Sequence, residues 1–174
     1  MNTAVMHGRP EKIEVYRFSP WATVGIPLLA LFFQAFIPLR LHFFEIFNLP
    51  LLVTIFFAVA RRSPVKGLIT GATIGLLQDS LTHHAIGVEG IALTVVGFAA
   101  SSMGARVDVE NPGTRLLMTF GFYLVNEAMY FFVARGMVGE MLMWQWSHKL
   151  AAALANSILA LILFLIMDRV KEPA

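Results

Sequence analysis

One short stretch of the chain carries residue types that suit hydrolysis or metal binding: Asp79, Ser80, His83 and His84, with Glu89 shortly after them. A carboxylate, a hydroxyl and an imidazole form hydrolytic triads, and His, Asp and Glu are ligands of zinc. A triad is made by side chains that face one another beside an oxyanion hole, which neighbours in sequence do not provide. Adjacent histidines point apart, and the ligand spacings of zinc sites are missing. We therefore interpret the stretch as a polar turn at a membrane surface, with no catalytic residue and no metal.

The rest of the sequence also lacks the patterns of a reactive site. It contains no Gly-x-x-x-x-Gly-Lys phosphate loop, no Gly-x-Ser-x-Gly elbow and no His-Glu-x-x-His pair. It has no cysteine, which excludes disulfides and thiolate metal sites. Its formal net charge of +2 is too small to indicate a nucleic-acid surface. We expect no enzymatic activity, no cofactor and no nucleic-acid partner.

Seven polar side chains interrupt apolar segments and, placed on helices, converge on one depth of a bundle. They are Gln34, Gln78, Asp79, Glu89, Asn126, Glu127 and Asn156. Unpaired polar groups are costly in hydrocarbon, so we expect this outer-leaflet polar layer to face inward. Two interpretations stay open: a binding site for a ligand or partner, or a hydrogen-bonded layer that fixes helix register. Because no Lys or Arg is expected at their depth, Asp79 and Glu127 are predicted to have neutral partners.

Small residues lie on single faces of the two segments that flank Asp79. Glycines recur at helical spacings, first at Gly67, Gly71 and Gly75, and then at Gly87, Gly90 and Gly97. In a soluble helix each glycine costs roughly 1 kcal/mol relative to alanine, but in a membrane it lets two backbones approach closely. We predict that the two segments form a tightly packed helical hairpin.

Composition and hydropathy define the elements that carry these residues. Hydrophobic residues make up 57% of the chain and charged residues 14%, and the mean hydropathy is +0.71, which indicates a membrane protein. The second apolar segment starts with Glu45 and Asn48-Leu-Pro50, so we expect a surface turn followed by a short helix. The apolar segments run over residues 21–39, 43–60, 65–81, 86–103, 114–134 and 149–167. They predict an all-α membrane protein: a compact bundle of six transmembrane helices (21–168) between an N-terminal tail (1–20) and a C-terminal tail (169–174).

Basic residues predict the orientation of this bundle. With six crossings, ten of the thirteen Lys and Arg residues lie on the side of both termini, and Arg40, Arg135 and Lys149 lie on the other. Cytoplasmic loops carry the excess of Lys and Arg, so both termini are predicted to be cytoplasmic.

The hairpin sequence resembles the central signature of MreD, the rod shape-determining membrane protein family. The matching positions lie in two runs, from Gly71 to Leu81 and from Gly87 to Thr94. They are Gly71, Gly75, Leu76, Leu77, Asp79, Leu81, Gly87, Leu93 and Thr94. Gln78, His83, His84 and Glu89 fall outside the pattern, so the resemblance implies no role for them.

The resemblance implies a non-enzymatic, multi-pass protein of the bacterial inner (cytoplasmic) membrane, within the elongation machinery for peptidoglycan. MreC is the implied direct partner, and MreB, RodA and a class B penicillin-binding protein belong to the wider complex; membrane lipids surround the protein, and a homodimer stays open. MreD is similar in fold to the S-components of energy-coupling-factor transporters, so a solute-binding transporter subunit is the alternative function. The segment Leu28–Ala35 lacks the Ala-x-x-x-Ala docking face of such subunits, which favours the scaffold.

Overall fold

The fold is a bundle of six α-helices. The structure, a computed structural model, describes residues 16–82, 85–109, 111–139, 141, 143–169 and 171–173. The helices are α1 (Pro20–Phe36), α2 (Leu49–Arg61), α3 (Pro64–Thr82), α4 (Val88–Gly104), α5 (Pro112–Val133) and α6 (Trp146–Asp168). A 3₁₀ helix (His42–Ile46) precedes α2, and α5 continues into a π-helical turn (Ala134–Val138). Two short strands, β1 (Tyr16–Phe18) and β2 (Lys171–Pro173), pair antiparallel. The prediction of six helices is confirmed.

Proline and asparagine determine where several helices begin. Proline occupies one of the first two positions of α1, α2, α3 and α5, where its missing N–H costs no hydrogen bond. Asn48 Oδ1 accepts the N–H of Leu51 at 3.1 Å and caps α2. Asn111 Oδ1 accepts the N–H of Gly113 at 2.8 Å and caps α5. The expected turn before a short second helix is therefore the 3₁₀ helix followed by an asparagine cap.

α2 is the central helix of the bundle and contacts all five of the others. Ten of its 13 residues are buried. A helix that is apolar on every side is typical of such a central position.

Three helical segments are long and apolar enough to cross a membrane: His42–Arg61 with 20 residues, Pro112–Val138 with 27 and Trp146–Asp168 with 23. The helices α1 and α4 are apolar but shorter, with 17 residues each. These lengths and compositions agree with a membrane protein.

Both described ends of the chain lie at one end of the bundle, which we call the ribbon end because the β1–β2 pair is there. At this end the Arg61 guanidinium donates to the hydroxyls of Thr23, at 3.0 Å, and Thr70, at 3.3 Å. Arg115 forms an ion pair of 2.6 Å with Asp168. These contacts join the beginnings of α1 and α5 and the first half of α3 to the ends of α2 and α6. The helices α1, α3 and α5 therefore run in the opposite direction to α2 and α6.

Candidate functional site

α3 and α4 touch through their backbones. A Cβ atom added to Gly67, Gly71 or Gly75 would lie 2.3, 2.0 or 2.5 Å from a backbone carbonyl oxygen of α4. In the opposite direction, a Cβ on Gly97 would lie 2.3 Å from a carbonyl oxygen of α3. Separations below 3.0 Å leave no space for a side chain, so these four positions require glycine while the helices stay in place.

The other two glycines of the predicted packing face behave differently from each other. A Cβ on Gly90 would meet the Leu76 side chain at 2.9 Å, which is a tight helix contact. Gly87 has no heavy atom within 4 Å of such a Cβ, and its φ is +102°. Gly87 therefore does not pack between the helices. It adopts the left-handed conformation through which the chain enters α4.

The carboxylate of Asp79 caps the beginning of α4 from the end of α3. Its Oδ2 accepts the N–H groups of Gly87 at 2.8 Å and Gly90 at 3.1 Å, and its Oδ1 accepts the N–H of Glu89 at 3.2 Å. The first N–H groups of a helix have no partner within it, and the helix dipole favours negative charge there. Asp79 is 1% exposed, so three charge-assisted bonds balance its burial. The neutral side-chain partners predicted for Asp79 are thus replaced by backbone donors.

Glu89 and Asn126 continue this site into the bundle. Glu89 is 7% exposed, and its carboxylate accepts the side-chain N–H of Asn126 at 3.4 Å. Asn126 is fully buried, and its Oδ1 has no hydrogen-bond partner among the described residues. This contact joins the beginning of α4 to the middle of α5.

Glu127 has a cationic partner, contrary to the prediction from sequence. Lys149, in the first turn of α6, forms an ion pair with its carboxylate. The Tyr123 hydroxyl lies near the same carboxylate. The charge count correctly placed Lys149 on the side opposite the termini, but its long side chain reaches Glu127 from there. We call Asp79, Glu89, Asn126, Glu127, Lys149 and Tyr123 the Asp79 cluster.

A second group of polar side chains, the Asn156 cluster, consists of Gln34, Asn48 and Asn156. The Gln34 amide donates to the carbonyl of Phe47 and accepts the N–H of Leu49, both at 3.0 Å. Asn156 accepts the N–H of Asn48 at 2.9 Å and donates to the last carbonyl of the 3₁₀ helix at 2.7 Å. The two amides therefore satisfy the backbone between the 3₁₀ helix and α2, which has no regular ladder of its own.

Among the described residues, no hydrogen bond joins the Gln78 side chain to either cluster. Its side chain is buried, and its Oε1 has no hydrogen-bond partner in the described part of the chain. The structure thus separates the predicted polar layer into two clusters and one further amide.

The residues considered for hydrolysis or metal binding do not assemble a reactive centre in the described ranges. Ser80 is exposed and donates to the carbonyl of Leu76, one helical turn before it, at 2.8 Å. His83 and His84 lie outside the described residues. Among those described, no three His, Asp or Glu side chains group as metal ligands do.

Sequence reasoning missed Asn48, Tyr123 and Lys149 as members of these clusters. The Asn-Leu-Pro sequence was a usable signal for Asn48, because asparagine before a proline near a helix start is typical of an N-cap. Nothing comparable marks Tyr123 or Lys149, since their contacts depend on how α5 and α6 are rotated against each other.

The chain matches the family model of the rod shape-determining protein MreD over residues 16–170, nearly its whole length. Comparison with curated proteins and with solved structures gives no significant match.

Proposed function

Since the chain belongs to the MreD family, and is therefore a rod shape-determining membrane protein, we propose that it is a non-catalytic scaffold in the bacterial inner membrane. In this proposal it binds MreC directly and helps to place peptidoglycan synthesis. MreB, RodA and a class B penicillin-binding protein are its partners in the wider complex.

The observation that carries the proposal is the use of the signature residues of the α3–α4 hairpin. Gly71 and Gly75 pack directly against the backbone of α4, and the Asp79 carboxylate accepts hydrogen bonds from three backbone N–H groups. A carboxylate held in this way is unavailable as a general base or ligand in the described geometry. Because the signature residues serve packing and capping, they favour a role of the hairpin as a rigid element that presents a fixed surface to a partner.

The distribution of charge supports the proposed orientation in the membrane. Most basic residues of the described part lie next to helix ends at the ribbon end: Arg17, Arg61, Arg62, Lys66, Arg106, Arg115, Arg169 and Lys171. Arg40, Arg135 and Lys149 lie at the opposite end. By the positive-inside rule, the ribbon end with both described ends of the chain is cytoplasmic, the helices cross six times, and the Asp79 and Asn156 clusters lie in the outer half.

Co-purification with MreC tests the partner. The tagged protein, coexpressed with MreC in the membrane and extracted in mild detergent, should retain MreC through size-exclusion chromatography. Asp79→Leu should lose MreC, and Ser80→Ala, an exposed neighbour, should keep it. Wild-type protein that elutes as a folded species without MreC would contradict the proposal. Retention of a transporter coupling module instead would favour the solute-binding alternative.

Reporter fusions test the orientation separately. Fusions after Arg62, Asp108 and Lys171 should report a cytoplasmic location, and a fusion after Gly139 should report the outside. A reversed result at Asp108, in the connection between α4 and α5, would contradict six crossings.

A further inference from the structure

We propose that the corner between α2 and α3, formed by Arg61, Arg62 and Lys66, binds the phosphate headgroup of an anionic phospholipid. The corner lies at the ribbon end, where α2 ends at Arg61 and α3 begins at Pro64. The inference rests on the proposed function only in assigning this corner to the cytoplasmic leaflet.

The corner holds three positive charges, and no carboxylate within the described ranges forms an ion pair with any of them. The two ion pairs found among the described residues, Arg115–Asp168 and Lys149–Glu127, lie elsewhere. Arg62 and Lys66 make no ion pair and no side-chain hydrogen bond within the described ranges. Lys66 is exposed and Arg62 partly so. Uncompensated cations at a membrane surface attract anionic lipids, and each contributes about 1 kcal/mol.

Arg61 holds the corner in a fixed geometry. Its guanidinium donates to Thr23 and Thr70 and lies 5.9 Å from the ring centre of Phe18 and 5.1 Å from that of Phe57. These contacts join β1, α1, α2 and α3 around one cation.

The backbone that follows Arg61 is also defined. Arg62 adopts a left-handed φ of +49°, and its N–H bonds to the carbonyl of Ala58 at 3.2 Å, which closes α2. The chain therefore turns sharply into α3 at a fixed position.

The beginning of α3 supplies complementary features for a lipid. Val65 is 67% exposed and Ile69 is 57% exposed, and their spacing of four places them on one helix face beside Lys66. A phospholipid whose phosphate lies between Arg62 and Lys66 would have its acyl chains beside these apolar side chains. Pro64 has no N–H, and the N–H of Gly67 donates to the Ser63 carbonyl at 2.9 Å. The N–H groups of Val65 and Lys66 in this first turn have no helical acceptor and add to the attraction for an anion. This combination of charge and adjoining apolar surface favours a lipid over an acidic soluble segment.

The test compares two variants that each lose two positive charges. Arg62→Gln/Lys66→Gln changes the corner, and Arg40→Gln/Arg135→Gln is the matched control at the opposite end of the bundle. Both are purified in dodecyl maltoside, supplemented with phosphatidylglycerol or with phosphatidylcholine of the same acyl chains. The measurements are the thermal unfolding midpoint and the amount of lipid retained after gel filtration.

Phosphatidylglycerol should raise the midpoint of the wild type and of the control more than phosphatidylcholine does, and high salt should weaken this difference. The corner variant should bind phosphatidylglycerol about 30-fold more weakly, as two lost charges imply. Its midpoint in phosphatidylcholine should match that of the wild type, which shows that it is folded. Equal retention of phosphatidylglycerol by the corner variant and the wild type, or an equal loss in the control, would overturn the proposal.

Co-purification separates this inference from the proposed function. The corner variant should still bind MreC. If it loses MreC but keeps phosphatidylglycerol, the corner is a protein contact and the lipid proposal is wrong. If wild-type protein never binds MreC but shows the phosphatidylglycerol effect, the scaffold proposal fails while the lipid site stands.

Discussion

Replacing Asp79 tests whether one carboxylate joins α3 to α4. Asp79→Leu removes the acceptor of three N–H groups, two of which belong to the buried residues Glu89 and Gly90. A buried donor left without a partner costs about 1–3 kcal/mol, so for two buried donors we expect a loss of roughly 2–6 kcal/mol in unfolding free energy. Asp79→Asn keeps one acceptor oxygen but loses the charge, and should cost about 1–3 kcal/mol. The assay is unfolding of the purified protein in mixed micelles of dodecyl maltoside and dodecyl sulfate.

The matched control is Ser80→Ala, because Ser80 is exposed and its hydroxyl donates to a carbonyl of its own helix. We expect it to stay within about 0.5 kcal/mol of the wild type. The order of stability should be wild type and Ser80→Ala first, then Asp79→Asn, then Asp79→Leu. If Asp79→Leu unfolds at the same detergent composition as the wild type, or if Asn and Leu are equivalent at this position, Asp79 does not cap α4.

Three further substitutions test the packing and the two polar clusters by the same unfolding measurement. Gly71→Ala should lower the unfolding free energy by about 1–3 kcal/mol, because its Cβ would lie 2.0 Å from a carbonyl oxygen. Gly121→Ala, whose Cβ would have no atom within 4 Å, should raise it by up to about 1 kcal/mol. Equal effects would mean that the α3 and α4 backbones are not in contact. Glu127→Gln should destabilise the protein. A double-mutant cycle with Lys149→Met should give a coupling free energy of about 1 kcal/mol, since the Glu127 and Lys149 side chains are 14% and 27% exposed. A coupling of zero would argue against the ion pair. Asn156→Leu should cost about 2–4 kcal/mol because the N–H of Asn48 and a carbonyl of the 3₁₀ helix lose their partner; a wild-type midpoint would show that the Asn156 cluster contributes no stability.

The features that the sequence predicts well are those that depend on neighbours along the chain. The six helices follow from hydropathy, and the close approach of Gly67, Gly71 and Gly75 to α4 follows from their spacing. The resemblance to MreD, based on the hairpin residues, is confirmed by the family match. Asn48 carried a local signal too, since it directly precedes the helix that it caps.

The features that the sequence does not predict depend on helix rotation and side-chain reach. Hydropathy gives the depth of Gln34, Asn126 and Asn156 but not the direction in which each faces, so one layer was expected where the structure has two clusters. The Glu127–Lys149 pair was missed because a lysine at a helix start can point to the surface or fold back along its neighbour. Gly87 matches the seam of α4 in spacing but precedes the helix, so its role is conformational.

Asp79 occupies the place where the glycine packing and the polar residues meet, and each explains the other. Gly75, one turn earlier, brings α3 within contact distance of the backbone at Glu89. Only at such a separation can the short side chain of an aspartate reach three N–H groups of the adjoining helix. A glutamate would need more room, and an alanine at position 75 would move the acceptor away from its donors. The glycines are therefore required for capping as well as for packing, which explains why both residue types belong to one short signature.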